Sequence, residues 1–99
     1  MSELAHLTDA ALDAEIGSAR YFSATAWHRA KDAARERNLA RQRLAGPLTQ
    51  GWISYYQLRR AGLADEIRMY LSARALYRAR LAAAEAEGIG RREKHELAA

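Results

Sequence analysis

Apolar and small residues recur along the first half of the chain with alternating spacings of four and three residues. The positions are Leu12, Ile16, Ala19, Ser23, Ala26, Ala30, Ala33, Arg37, Ala40 and Leu44. This spacing forms one stripe on a single helical face and predicts a helix over about residues 8–45. Thr8 suits the N-cap, and Leu7 and Leu12 occupy the two positions of a hydrophobic staple. Because the stripe is mostly alanine, we expect its partner surface to approach closely.

A second stripe, of larger residues, follows a turn at residues 46–49. Gly46-Pro47 ends the first helix, because the residue before proline avoids the α conformation and glycine suits a helix C-terminus. The second helix is predicted from about residue 50 to about residue 87, with its stripe at Trp52, Ile53, Tyr56, Leu63, Ile67, Tyr70, Leu71, Tyr77 and Leu81. Since the stripe keeps its phase across Gly62, we expect a continuous helix. A break at Gly62, giving three helices, is the alternative. Residues 88–99 lack an apolar period and are expected to form a flexible tail.

Two helices of similar predicted length and a short turn predict an all-α antiparallel helical hairpin, forming a single domain over residues 1–87. Folding the chain back places position i opposite a residue near 95 minus i. The acidic residues of the N-terminus then lie near arginines late in helix 2: Asp9, Asp13 and Glu15 near Arg74, Arg78 and Arg80. Each exposed pair contributes only about 0.2–1 kcal/mol, but repulsion in other registers favours this one.

Helix 2 carries another apolar line about half a turn from its main stripe. The residues are Tyr55, Leu58, Met69, Leu76 and Ala83. A two-helix hairpin has one seam and cannot bury both lines. We expect homodimerisation into a four-helix bundle to cover the second line. The alternatives are a third helix produced by a break at Gly62, and a different protein that supplies the cover.

The composition strengthens the helical prediction and excludes several classes of protein. Alanine accounts for 23 of the 99 residues and valine is absent, which favours helices over strands. The absence of cysteine excludes disulfides, thiolate zinc sites and cysteine nucleophiles. The acidic N-terminus does not resemble a signal peptide, and no apolar run is long enough to span a membrane. We therefore expect a soluble, cytoplasmic protein.

The formal net charge of +4 is unevenly distributed. Residues 1–19 carry four acidic groups and no lysine or arginine, whereas residues 37–60 carry five arginines and no acidic group. These arginines are Arg37, Arg41, Arg43, Arg59 and Arg60. Arginine recognises phosphate and carboxylate groups through planar, bidentate hydrogen bonds. The turn end of the hairpin is therefore expected to be basic and uncompensated.

Patterns that would indicate catalysis or metal binding are weak. Glu3 and His6 have the E-x-x-H spacing of di-iron bundles, with Asp9 and Asp13 following, but the motif occurs once rather than twice. His28 stands alone, and no set of Ser, His and Asp indicates an activated nucleophile. We therefore expect no enzyme activity, no metal, no cofactor and no small-molecule substrate.

The basic turn end is the feature most indicative of a function. We expect a small non-catalytic binding protein that engages nucleic acid, or a nucleic-acid-binding complex, through this end. Its five arginines would contact phosphates and Tyr55 would stack on a base, while Trp52 and Tyr56 are assigned to the seam. An acidic protein surface is the other partner that these arginines fit.

The alternative function is a protein–protein interaction module. It would be an assembly subunit, adaptor or inhibitor, of the kind that phages and plasmids encode. Its interface would be the second apolar line, formed by Tyr55, Leu58, Met69 and Leu76.

Overall fold

A computed structural model describes residues 3–98 of the chain. A short 3-10 helix, Glu3–His6, precedes two long helices, α1 (Asp9–Leu44) and α2 (Gln50–Ala98). The two long helices form an antiparallel hairpin, so the predicted all-helical hairpin is confirmed. Within the described residues, neither helix contains a stretch long and apolar enough to cross a membrane.

The start of α1 is fixed by local hydrogen bonds. The Thr8 side-chain oxygen accepts a hydrogen bond from the backbone N–H of Ala11 at 3.1 Å, which satisfies one of the free donors of the first turn. Leu12 of the predicted staple is buried. The end of α1 depends on Pro47, because no residue of the described chain has a positive φ and Gly46 therefore forms no left-handed cap.

Helix α2 runs without a break through Gly62, so the expectation of a continuous helix is confirmed and the three-helix alternative is wrong. The prediction that the helix ends near Glu87 is wrong, because α2 continues to Ala98. The predicted tail over residues 88–99 is therefore helical as far as Ala98, and Ala99 lies outside the described residues. Gly88 lies against Leu12, and Arg91 donates hydrogen bonds to the Leu4 carbonyl and to Asp9. These contacts attach the last turns of α2 to the N-terminal part of the chain, although residues 88–98 have no apolar period.

The contacts within the chain divide it into two compact units. The terminal unit comprises the residues up to Ala24 and those from Arg74 onward, and the turn unit comprises Thr25–Ala73. Each unit contains a part of α1 packed against a part of α2.

Alanine dominates the packing of both units. The buried residues are Leu12, Ala19 and Ala84 in the terminal unit, and Ala26, Ala30, Ala33, Ala40 and Leu63 in the turn unit. The small side chains of α1 were predicted from its stripe, whereas Ala84 was not. Leu63, at 1% exposure, is the largest fully buried side chain of the described residues. Trp52 and Leu71, both assigned to the seam from the sequence, are instead exposed.

Ion pairs connect the two helices within the terminal unit. Arg80 bonds Glu15 at 2.7 Å, as the predicted pairing requires, and Arg20 bonds Glu85 at 3.3 Å. Asp9 does not pair with Arg74, Arg78 or Arg80 as expected. It bonds Arg91 at 2.9 Å instead, because α2 extends further than the sequence pattern indicated.

Candidate functional site

The turn unit contains all six residues predicted to bind nucleic acid. Arg37, Arg41 and Arg43 lie on the last turns of α1, and Tyr55, Arg59 and Arg60 lie on the first turns of α2. Arg59 is half-buried and the other five are exposed. The structure divides this set between two sides of the unit rather than gathering it at one place.

Three of the arginines converge on a groove of about 200 Å³, here called the arginine groove. Arg37 and Arg41 are one turn apart on α1 and therefore project from the same face. Arg60 approaches from α2. The remaining lining residues are Ala34, Asn38 and Ile67. Asn38 was not predicted to be a site residue, and Ile67 was predicted only as a member of the seam stripe of helix 2.

Arg59 is not part of the uncompensated cluster that the sequence predicted. Its guanidinium bonds Glu36 at 2.6 Å and lies 3.6 Å from Glu66. The hydrogen bond to Glu36 raises the pKa of Arg59 above its ordinary value, and the nearby charge of Glu66 raises it further. The prediction failed because the two carboxylates lie just outside residues 37–60 in sequence. The antiparallel pairing brings Glu36 across to Arg59, and Glu66 lies two helical turns after it.

The two remaining carboxylates of the turn unit are also engaged. Asp32 pairs with Arg35, and Asp65 pairs with Arg68, each within one helix. The unit contains four acidic residues and nine basic residues. Since Arg35, Arg59 and Arg68 take up all four carboxylates, none is left for the arginine groove among the residues that the structure describes.

Arg43 and Tyr55 lie away from the arginine groove. Arg43 follows Arg41 by two residues, which places it about 200° around the helix. Tyr55 precedes Arg59 by one turn, and its phenol adds a small electrostatic contribution to the raised pKa of that arginine. These two residues therefore accompany the Arg59–Glu36 ion pair. They do not join the three groove arginines.

Three aromatic rings pack together at the start of α2. Trp52 stacks on Tyr56 with the ring centroids 5.8 Å apart, and Tyr55 meets Trp52 edge-on at 5.6 Å. Trp52 is 55% exposed and Tyr55 is 52% exposed. The assignment of Trp52 to the seam was wrong because the residue that the pairing places opposite it is Arg43, which lies beyond the last buried alanine, Ala40.

An open depression of about 510 Å³ adjoins this aromatic cluster. Its lining residues are Thr49, Gly51, Trp52 and Tyr55. A Cβ atom added at Gly51 would meet no atom within 4 Å. The depression therefore has two exposed rings on one side and free space at the glycine.

The second apolar line predicted from the sequence is exposed in both units. Tyr55, Leu58 and Met69 lie in the turn unit, and Leu76 lies in the terminal unit. Leu58 is 75% exposed. Leu39 on α1 is a further exposed apolar residue of the turn unit. Exposed apolar groups of this size are typical of surfaces that contact another molecule.

The terminal unit has a cavity of about 310 Å³, whose charged lining residues are mostly engaged with one another. Arg91 bonds Asp9 and Glu87, and Arg20 bonds Glu85. Glu3 and His6 of the E-x-x-H motif lie on the 3-10 helix rather than on α1. No group of three or more metal-ligating residues is found among residues 3–98.

Comparison with known proteins gives no match for this chain among protein-family models, curated proteins or solved structures.

Proposed function

We propose that the protein is a non-catalytic helical binding protein whose arginine groove engages nucleic acid. One observation supports this above all others. Arg37, Arg41 and Arg60 converge from two helices, while the four carboxylates of the turn unit pair with Arg35, Arg59 and Arg68 instead. Three guanidinium groups with no carboxylate partner among residues 3–98 attract an external anion. A polymer of phosphates presents such anions at regular intervals.

The groove suits phosphate in its chemistry as well as in its charge. Each guanidinium carries five N–H donors in a planar fork that matches two oxygens of a phosphate. Asn38 adds a neutral amide at the same groove. Because these contacts are to the backbone of the polymer, they position a nucleic acid without reading its sequence.

A matched pair of variants tests this proposal. The variant Arg41→Ala/Arg60→Ala removes two groove arginines. The control variant Arg35→Ala/Arg68→Ala removes two arginines outside the groove, each of which pairs with an aspartate of its own helix. Both change the net charge equally. We expect the groove variant to weaken binding of a labelled oligonucleotide at least about tenfold, since charge-assisted hydrogen bonds are lost. The control variant is expected to bind almost as the unchanged protein does.

Fluorescence anisotropy at low ionic strength measures both affinities, and circular dichroism checks that both variants remain helical. Equal weakening by the two variants would show that only net charge matters and would contradict a groove. If the unchanged protein binds no oligonucleotide but does bind an acidic protein through the same arginines, the partner is the acidic protein and the nucleic-acid proposal is wrong.

The exposed apolar residues favour a second candidate function, in protein–protein interaction. The large apolar side chains of the second line on α2 are each more than half exposed: Tyr55, Leu58, Met69 and Leu76. Covering exposed apolar groups of this size with another surface is favourable. We propose that a second copy covers the exposed line of α2, completing a four-helix bundle. A different protein, with this chain as its adaptor, assembly subunit or inhibitor, is the other occupant.

The variant Leu58→Asp/Leu76→Asp tests the dimer, because two carboxylates in an apolar interface are strongly unfavourable. Analytical ultracentrifugation of the unchanged protein is expected to give a dimer, and the variant is expected to sediment as a monomer with its helical content retained. A matched control, Arg35→Asp/Arg78→Asp, also introduces two carboxylates on the surface and is expected to remain dimeric. A monomeric unchanged protein at high concentration would exclude the second copy.

A further inference from the structure

We infer that the nucleic acid is held as a single strand, with an unpaired base stacked on Trp52 while the neighbouring phosphates occupy the arginine groove. This inference rests on the proposed function, since it requires that the groove engages nucleic acid. It adds the class of ligand and a residue, Trp52, that makes contact with the base.

Trp52 presents its ring in a position that suits stacking. More than half of the side chain is exposed, and its indole is backed by Tyr56, whose ring is inclined to it by 28°. Tyr55 stands almost perpendicular, at 88°, beside it. The cluster therefore forms a supported surface next to the open depression at Thr49 and Gly51. Tryptophan is usually well covered in monomeric proteins, so an exposed and supported indole indicates a contact with another molecule.

The aromatic cluster and the arginine groove lie near one another on α2, within the turn unit. Tyr56 follows Trp52 by four residues and Arg60 follows Tyr56 by four, so each side chain is turned about 40° around the helix from the one before it. Eight residues of helix place Trp52 and Arg60 about 12 Å apart along the axis and about 80° apart around it. A strand with its phosphates at Arg60 therefore has to cover this short distance along and around α2 to reach the rings.

This arrangement distinguishes a single strand from a duplex. Any nucleic acid can place phosphates against three arginines. In a duplex, however, the bases are stacked and paired inside the helix and present only their edges in the grooves. An unpaired strand exposes the faces of its bases, and aromatic side chains bind those faces with little preference for sequence.

Three ligands and two variants test the inference. The ligands are a fluorescein-labelled oligothymidylate of about 12 nucleotides, a size within the range that single-strand-binding domains cover, its duplex, and an abasic strand with the same phosphates. Trp52→Ala removes the proposed stacking surface. Trp27→Ala is the matched control, because Trp27 is also an exposed tryptophan of the turn unit. Anisotropy titrations give the affinities.

We expect the oligothymidylate to bind more tightly than the duplex, and Trp52→Ala to weaken its binding about tenfold, a typical loss for one stacked base. The abasic strand is expected to bind the unchanged protein as weakly as the oligothymidylate binds Trp52→Ala. Trp27→Ala is expected to change none of these affinities.

A second variant guards against misfolding of Trp52→Ala. Gly51→Leu keeps the indole and adds a side chain to the depression that Gly51 lines beside it, at a position where the new Cβ meets no atom within 4 Å. It is expected to weaken binding of the oligothymidylate and to leave duplex binding unchanged. If single strand, duplex and abasic strand bind equally and neither variant matters, stacking on Trp52 is wrong while the groove proposal stands. If no ligand binds at all, both are wrong.

Discussion

The terminal unit and the turn unit are built from the same two helices but use their charges differently. The described part of the terminal unit contains eight acidic and seven basic residues, and three arginines form ion pairs that join its helical segments: Arg20, Arg80 and Arg91. The turn unit contains four acidic and nine basic residues, and among the described residues its two helices are joined by the ion pair of Arg59 with Glu36. Arginine thus joins the two helices at three places in the terminal unit and, among the described residues, at one place in the turn unit.

The two units also differ in how their seams are filled. The turn unit buries four alanines and one large side chain, Leu63. The terminal unit buries Leu12 with two alanines and adds the stacked pair of Phe22 and Tyr77, with ring centroids 5.3 Å apart. A seam of alanines lets helices approach closely but buries little area for each residue. The turn unit is therefore expected to depend strongly on its one fully buried leucine.

The largest expected effect on stability follows from this dependence. Leu63→Ala should lower the free energy of unfolding by about 2–5 kcal/mol, because it removes the transfer energy of a buried leucine and leaves a cavity. Leu58→Ala is the matched control and should change the stability of the monomer by less than about 0.5 kcal/mol, since Leu58 is exposed. Urea denaturation of both variants measures the difference. A similar cost for the two leucines would contradict the packing described for the turn unit.

A smaller effect, of opposite sign, is expected at Gly62. This glycine lies in the middle of α2, and a methyl group added there meets no atom. Gly62→Ala should stabilise the protein by about 0.4–1 kcal/mol, because alanine loses less backbone entropy on forming a helix. Thermal denaturation at low protein concentration measures this gain. Destabilisation that appears only at high concentration would show instead that a second copy packs closely against Gly62.

The smallest effect is expected in the terminal unit, at Arg91. Its guanidinium bonds Asp9 at 2.9 Å, Glu87 at 3.0 Å and the Leu4 carbonyl at 2.8 Å. Hydrogen bonds to Asp9 and Glu87 raise its pKa, so it remains charged at every ordinary pH. Arg91→Ala should speed amide hydrogen exchange in the first residues of α1 and over the last turns of α2, with little change in global stability. The neighbouring Arg92→Ala is the control, and equal exchange in both variants would contradict an anchoring role.

Much of the fold could be predicted because its determinants are local. Thr8 marks the start of α1, Pro47 marks its end, and the alanine stripe shows how closely α2 packs. The continuity of α2 through Gly62 also followed from the unbroken apolar phase. The extension to Ala98 could not be predicted in this way, since it depends on Arg91 contacting residues more than eighty positions earlier in the chain.

The candidate site could be predicted only in part. The cluster of arginines was visible, but its division depends on which side of each helix a residue faces and on which carboxylates lie across the seam. The rule that position i faces a residue near 95 minus i places Glu36 opposite Arg59. This ion pair could therefore have been predicted by applying the rule to the turn end as well as to the acidic N-terminus. The exposure of Trp52 was harder to predict from the sequence, because it depends on where the buried part of α1 ends.

The salt dependence of oligonucleotide binding tests the central claim most directly. The claim is that Arg37, Arg41 and Arg60 have no carboxylate partner among residues 3–98 and therefore neutralise phosphates. Titrations of a single-stranded oligonucleotide at several salt concentrations give the slope of log K against log salt. For Arg37→Ala/Arg41→Ala/Arg60→Ala, we predict a slope shallower than that of the unchanged protein by about 2, since each phosphate contact contributes about 0.7. An unchanged slope would contradict the claim, because it would show that these three arginines release no counterions.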